Sequence, residues 1–278
     1  MTAILSWLNQ EKGQIPYIMT IGDTKISNIS NGNILTLEGA KILELMVRCT
    51  DLSNQCIYHV SPIGFSYAGS SLVGLNVYTY LQAIFSNLGG VKSGDLPDCN
   101  SICLKAKEVL QLYTRSIRDK AEVLMFGYCP KNKTPFICSI EPVMLEETIN
   151  YEVRMKTVFK NQLEIVLIGD KKNEIRDLVS AKKELLSKES LEYWRAPARV
   201  LKEIIEENKF KTIGGNIQLA ISNLFRFDLY SIVVPISKNE QRATLKFRNF
   251  DLFDEIGQRV GDCFVTIKGM DLFPNIKQ

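Results

Sequence analysis

The sequence predicts an α+β fold, a four-layer αββα sandwich in which two packed sheets carry helices on both outer faces. Strand-length apolar runs and helix-length amphipathic stretches come in blocks: strands, two helices, strands, two helices, strands. No low-complexity linker and no repeat of solenoid length interrupts them. The chain has 278 residues, 45% hydrophobic and 23% charged, enough to enclose a substantial core.

Each element has a local reason. Residues 2–8 form an apolar strand, and Asn9-Gln10-Glu11-Lys12-Gly13-Gln14 is a turn. Residues 15–21 form a second strand ending at Gly22-Asp23, and a further turn spans 28–32. Residues 41–49, 56–60 and 63–68 read as strands. Ser70 or Ser71 caps a helix over 72–88 that Gly89-Gly90 ends. A second helix runs over about 100–120, with Ile102, Val109, Leu110, Tyr113 and Ile117 on one stripe. Residues 122–128 and 135–140 are strands flanking a turn rich in Lys, Asn and Pro. Strands over 151–159 and 163–168 precede helices over 172–187 and 197–208, the latter with Pro197 in its first turn. Residues 212–221 are a turn into a strand, and 228–236 another strand. The expected division is a domain over 1–236 and a β-rich or irregular C-terminal extension over 237–278 packed on it.

Composition excludes several functions. Thirty-four basic and 31 acidic side chains give a net charge of +3, no electrostatic reason for nucleic acid or an anionic membrane as main partner. No stretch approaches the roughly 18 apolar residues of a membrane helix. The start Met-Thr-Ala-Ile-Leu lacks the features of a secretory signal, and seven scattered cysteines suit a reducing, cytoplasmic compartment. His59 is the single histidine, which disfavours zinc hydrolases and histidine-based triads. Cys99 and Cys103 lack a second pair with finger-like spacing and read as ordinary thiols. Gly89-Gly90-Val91-Lys92-Ser93 has the wrong glycine spacing for a phosphate loop and follows a helix. No cofactor and no metal is expected.

The start of the chain carries the chemistry. Removal of Met1 before the small Thr2 would leave a threonine with a free α-amine. Such an amine titrates near about 7.7–8.0, so its neutral form can take the threonine hydroxyl proton. A lysine nearby favours the developing alkoxide, a carboxylate keeps that lysine charged, and a backbone amide beyond a strand end binds an oxyanion. The sequence offers all three in Gly22-Asp23-Thr24-Lys25, Gly39-Ala40-Lys41-Ile42 and Tyr67-Ala68-Gly69-Ser70-Ser71.

These parts, in this order, resemble the proteasome β-subunit family of N-terminal-nucleophile hydrolases, specifically its bacterial type, over residues 2 to about 236. The resemblance implies Thr2 as nucleophile with its α-amine as base, Asp23 as the family's acidic residue, Lys41 as the family lysine, and Gly69 as the oxyanion glycine. Ile168-Gly169-Asp170 and Ile213-Gly214-Gly215-Asn216-Ile217-Gln218 match two later landmarks. It also implies a threonine-type peptide or amide hydrolase, a ring or stacked-ring homo-oligomer, and an ATP-dependent unfoldase as a potential feeder. The chain departs from the family where Asp170 stands for a serine and where Phe210 stands for an aspartate. Those departures keep a second expectation open, a catalytically inactive scaffold or binding subunit, and a third, a small-amide hydrolase on the same fold. Asp170 is otherwise expected to cap the following helix.

Overall fold

The computed structural model describes residues 2–28, 32–92, 94–117, 119–145, 148–235, 243–257 and 259–272. Met1, the middle of the turn expected over 28–32, Ser93, the junction expected at 236/237 and Phe273 lie outside the described residues.

Strands β1 (Ala3–Asn9) and β2 (Tyr17–Asp23) open the chain, followed by the short β3 (Ile26–Ser27) and β4 (Ile34–Thr36). Then come β5 (Ile42–Asp51), β6 (Ile57–Gly69), helix α1 (Ser71–Phe85), β7 (Leu88–Gly90) and α2 (Cys99–Ile117). β8 (Ala121–Tyr128), β9 (Pro135–Leu145), β10 (Thr148–Lys156) and β11 (Val166–Gly169) lead to α3 (Lys172–Glu184), α4 (Leu191–Trp194) and α5 (Ala196–Glu206). The chain closes with β12 (Ile217–Ser222), β13 (Phe227–Pro235), β14 (Ala243–Phe247), β15 (Phe250–Asp251), a π-helical turn over Leu252–Ile256, β16 (Arg259–Val260), β17 (Cys263–Phe264) and β18 (Lys268–Met270).

An eight-stranded sheet runs β11-β1-β2-β12-β13-β14-β15, with β18 also paired to β13. A six-stranded sheet runs β10-β9-β8-β6-β5-β7. Burial explains their mutual placement. Ile4, Leu8 and Ile18 of the first sheet meet Ile42, Leu124, Phe126 and Ile137 of the second in one cluster. The other face of the six-stranded sheet packs on α1 and α2 through Phe65, Val73, Leu81 and Leu110. The other face of the eight-stranded sheet packs on the later helices through Trp7, Met19, Ile175, Trp194 and Leu201.

This corrects the expected four-layer αββα sandwich. Both sheets are mixed, because β7 pairs parallel with β5 and β18 parallel with β13. Segments that the block order treats as helix end or tail become strands. Residues 88–90 form β7 instead of terminating the first helix, which stops at Phe85. Residues 243–251 extend the eight-stranded sheet through β14 and β15. Two separate ribbons, β3–β4 and β16–β17, add to a molecule richer in strands than the block order implied. The physical reason is edge pairing: short segments with too few side chains to signal a strand gain one by hydrogen-bonding to an open edge.

Smaller corrections follow the same logic. Residues 56–60 and 63–68 are one strand, β6, running through Pro62. Asp170 does not cap α3; Lys171 stands at the cap position in a left-handed conformation, φ 58°, without a side-chain cap bond. Ser70 does cap α1, accepting from the Val73 N–H.

Candidate active site at the start of the first strand

Asp23 ends β2 and is fully buried. Its carboxylate is held by three donors. Oδ1 accepts from the Ala3 N–H at 3.0 Å and from Lys41 Nζ at 3.2 Å, and Oδ2 accepts from the Gly214 N–H at 3.1 Å. Lys41 is equally enclosed, 1% exposed, and gives a second N–H to the Lys25 carbonyl at 2.5 Å. Burial raises the Asp23 carboxyl above its ordinary value, and Lys41 and the two N–H donors pull it partly back. Burial lowers the Lys41 ammonium, and Asp23 partly restores it. A desolvated lysine brought down this way gives up its proton more readily than a surface lysine does.

The backbone before Lys41 is fixed from two sides. Gln218 Oε1 accepts from the Lys41 N–H at 3.0 Å and the Ile42 N–H at 3.3 Å, while its amide donates to the Gly39 carbonyl at 2.8 Å. Tyr67 donates its hydroxyl to the Ala40 carbonyl at 2.9 Å. Sequence reasoning missed Gln218 as a functional residue. The signal was present, a lone amide inside the apolar run Ile217-Gln218-Leu219-Ala220.

Thr2 is buried at the entry to β1, one residue before the Ala3 N–H that Asp23 holds. Its carbonyl accepts from the Asp170 N–H at 2.7 Å. Gly169 makes this contact possible. At φ +101°, a Cβ on it would lie 1.9 Å from the Thr2 carbonyl oxygen, so only glycine fits. Glu122 of β8, also missed from sequence, accepts the Gly169 N–H at 2.7 Å and pairs with Lys172 at 2.8 Å. Asp170 in turn accepts the Thr212 hydroxyl at 2.5 Å.

Gly69 ends β6 at φ +102° and is exposed, with Ala121 of β8 as its ladder partner. A Cβ there would come within 2.8 Å of the Lys120 carbonyl. That carbonyl already takes the Ser70 N–H at 3.1 Å. Asp23 and Lys41 are therefore in direct contact, Thr2 adjoins them through Ala3, and Gly69 stands at a strand end of the facing sheet. Among the described residues no three histidine, cysteine or acidic side chains are arranged to hold a metal. A groove of about 210 Å³ lies elsewhere, between α3 and α5, lined by Leu178, Leu185, Val200 and Ile204, and carries no comparable chemistry.

Two mixed sheets joined by an apolar layer make a fold that solved structures share. Anbu from Hyphomicrobium sp. strain MC1 is similar over 87% of this chain and 89% of its own, with a TM-score of 0.51 and 13% identity. Anbu (ancestral beta-subunit) from Yersinia bercovieri is similar over 80% of this chain and 81% of its own, with a TM-score of 0.52 and 10% identity. A mutant of the Hyphomicrobium protein gives 87%, 90%, 0.50 and 14% in the same order. No family model matches the chain, and no curated protein matches it. Identities this low speak for the fold alone. They correct the expected likeness to a bacterial-type proteasome β subunit: the fold is that of Anbu, a distinct proteasome-related family. No described helix is long and apolar enough to cross a membrane.

Proposed function

We propose that the chain hydrolyses peptide or other amide bonds with Thr2 as nucleophile. The observation that carries this reading is the enclosed Asp23–Lys41 pair, 3.2 Å apart and tied to the first strand at the Ala3 N–H. Once Met1 is removed, the freed amine accepts the Thr2 hydroxyl proton and the oxygen attacks the substrate carbonyl. The Lys41 ammonium favours the developing negative oxygen. The Ser70 N–H is engaged by Lys120, so the Gly69 N–H is the oxyanion donor in this proposal. The tetrahedral intermediate collapses, the amine leaves with a proton, and water releases the acyl group from the Thr2 ester. Asp170, whose N–H bonds the Thr2 carbonyl and whose carboxylate accepts the Thr212 hydroxyl, takes with Thr212 the supporting positions that the chain's departures left open.

In this proposal the substrate is a peptide or amide. The subunits assemble into a homo-oligomer such as a ring, in a cytoplasmic setting, and an ATP-dependent unfoldase is a candidate feeder. The segment 237–278 is proposed as an extension that reinforces the body of the fold. Supporting that, Arg248 donates to the Ile42 carbonyl at 3.2 Å and Asn249 to Glu38 at 3.0 Å.

The test is the intact mass and N-terminal sequence of protein from its own host, followed by peptide-substrate screening. A chain beginning at Thr2, with cleavage abolished in a folded Thr2→Ala variant, upholds the proposal. A chain still beginning at Met1 lacks the base and overturns it. The second reading, a non-catalytic subunit, is favoured by the Lys25 carbonyl, which takes one of the Lys41 N–H groups at 2.5 Å.

A further inference from the structure

Four of the seven cysteines converge at one end of α2. Cys99 is the first residue of α2, Cys103 lies one turn further, Cys129 directly follows β8, and Cys138 lies in β9. All four belong to one buried cluster; Cys99 alone has measurable exposure, 6%. The Cys138 thiol donates to the Ser139 carbonyl at 3.9 Å. The Cys129 sulfur accepts from the Cys99 N–H at 3.2 Å and from the Asn132 N–H at 3.4 Å. The Cys99 thiol points to the Met155 sulfur at 3.7 Å. Cys99 and Cys103, which lack a second pair with finger-like spacing, have Cys129 after β8 and Cys138 of β9 beside them in the fold.

We propose that Cys99 and Cys129 form a reversible dithiol–disulfide site, closed by a small-molecule disulfide such as oxidised glutathione. Cys99 attacks first because it is the less enclosed thiol. Its thiolate displaces one glutathione thiolate and forms a mixed disulfide. The Cys99 side chain must then turn from Met155 to the Cys129 sulfur, which lies 3.2 Å from the Cys99 backbone nitrogen, and the Cys129 thiolate displaces the second glutathione. Two protein thiols lose two electrons and two protons, and one glutathione disulfide becomes two thiols. The two N–H donors on the Cys129 sulfur meet the charge that develops there during exchange. Burial, and then the adjoining Cys129 sulfur, push the Cys99 thiol up to about 12. Closure is therefore slow at neutral pH and speeds about tenfold per pH unit below that value. The bond would close a loop between residues 30 apart and fasten the start of α2 to the β8–β9 turn.

The experiment incubates the full chain with oxidised glutathione at pH 7 and pH 9, quenches with acid, alkylates in denaturant and maps the peptides by mass. Cys56 and Cys263 are exposed, and their glutathionylation in the same tube proves that the oxidant was active. The expected result is a Cys99–Cys129 linked peptide that forms about a hundredfold faster at pH 9, is reversed by dithiothreitol, and is absent in Cys99→Ser. It would raise the melting temperature by about 5 °C or more. Glutathionylated Cys56 and Cys263 beside alkylated Cys99 and Cys129 in native protein would overturn the proposal, as would a Cys103–Cys138 bond in its place. The wild-type map decides this even if Cys99→Ser fails to fold.

Discussion

At the scale of single residues, the Lys41–Asp23 pair dominates, because neither charge has water to fall back on. Removing one partner leaves the other unpaired in a dry site, so Lys41→Ala or Asp23→Asn should each lower stability by about 3–5 kcal/mol. The double change Lys41→Met with Asp23→Leu should recover only part of that loss, because no charge then remains buried but the Ala3 and Gly214 N–H groups lose their acceptor. Urea midpoints of the three variants check both statements. Gly169 is a second case. Its positive φ and the 1.9 Å approach to the Thr2 carbonyl make Gly169→Ala costly by about 3 kcal/mol or more, again read by denaturation. Sequence made Asp23, Lys41, Gly69 and Gly169 visible as motif residues. It gave Glu122 no signal and marked Gln218 only within a landmark, without a role, because their importance comes from contacts 47 and 177 residues away. A lone polar residue in a strand says that it needs a partner, never which one.

At the scale of elements, local signals were readable where an element carries its own terminator or stripe. The Ser70 cap of α1 is local, and Ser70→Ala should cost about 1 kcal/mol in thermal or urea unfolding. The two-residue and three-residue strands β7, β15 and β18 carry no such signal, since only their neighbours make them strands. Between elements, Lys172 at the start of α3 reaches across to Glu122 of β8 and Glu141 of β9, at 2.8 and 2.5 Å. Burial opposes the charged form of Glu141, yet its bonds from Lys172 and Ser139 outweigh it and hold the carboxyl below its ordinary value. A depressed carboxyl stabilises the fold fully above its unfolded value, near about 4.5, and loses that contribution as pH falls through the folded one. Glu141→Gln should therefore be less stable than wild type at pH 7, with the difference shrinking towards pH 3, measured by urea midpoints at both.

At the scale of the whole molecule, the layer between the two sheets makes them one cooperative body. Phe126 lies in that layer, packed face-on against Gly64 and 5.9 Å from the Phe227 ring. Phe126→Ala should cost about 3–5 kcal/mol and lower a single shared transition rather than split it in two, which calorimetry can show. The block pattern of the sequence marked most of the longer strands and helices, but not the strand-rich mixed sheets they build. It did not foretell the parallel joins or the reach of residues 243–251 along the sheet edge, because register and edge pairing are settled by geometry that no window of sequence contains.

The ties that hold Asp23 and Lys41 come from far down the chain, Gly214 being 191 residues beyond Asp23 and Gln218 177 beyond Lys41. During synthesis the front of the protein leaves the ribosome long before either partner exists. On the proposed reading, Thr2 is made well before the residues that arm it. Its cutting edge would thus stay sheathed until residues 214–218 have been translated.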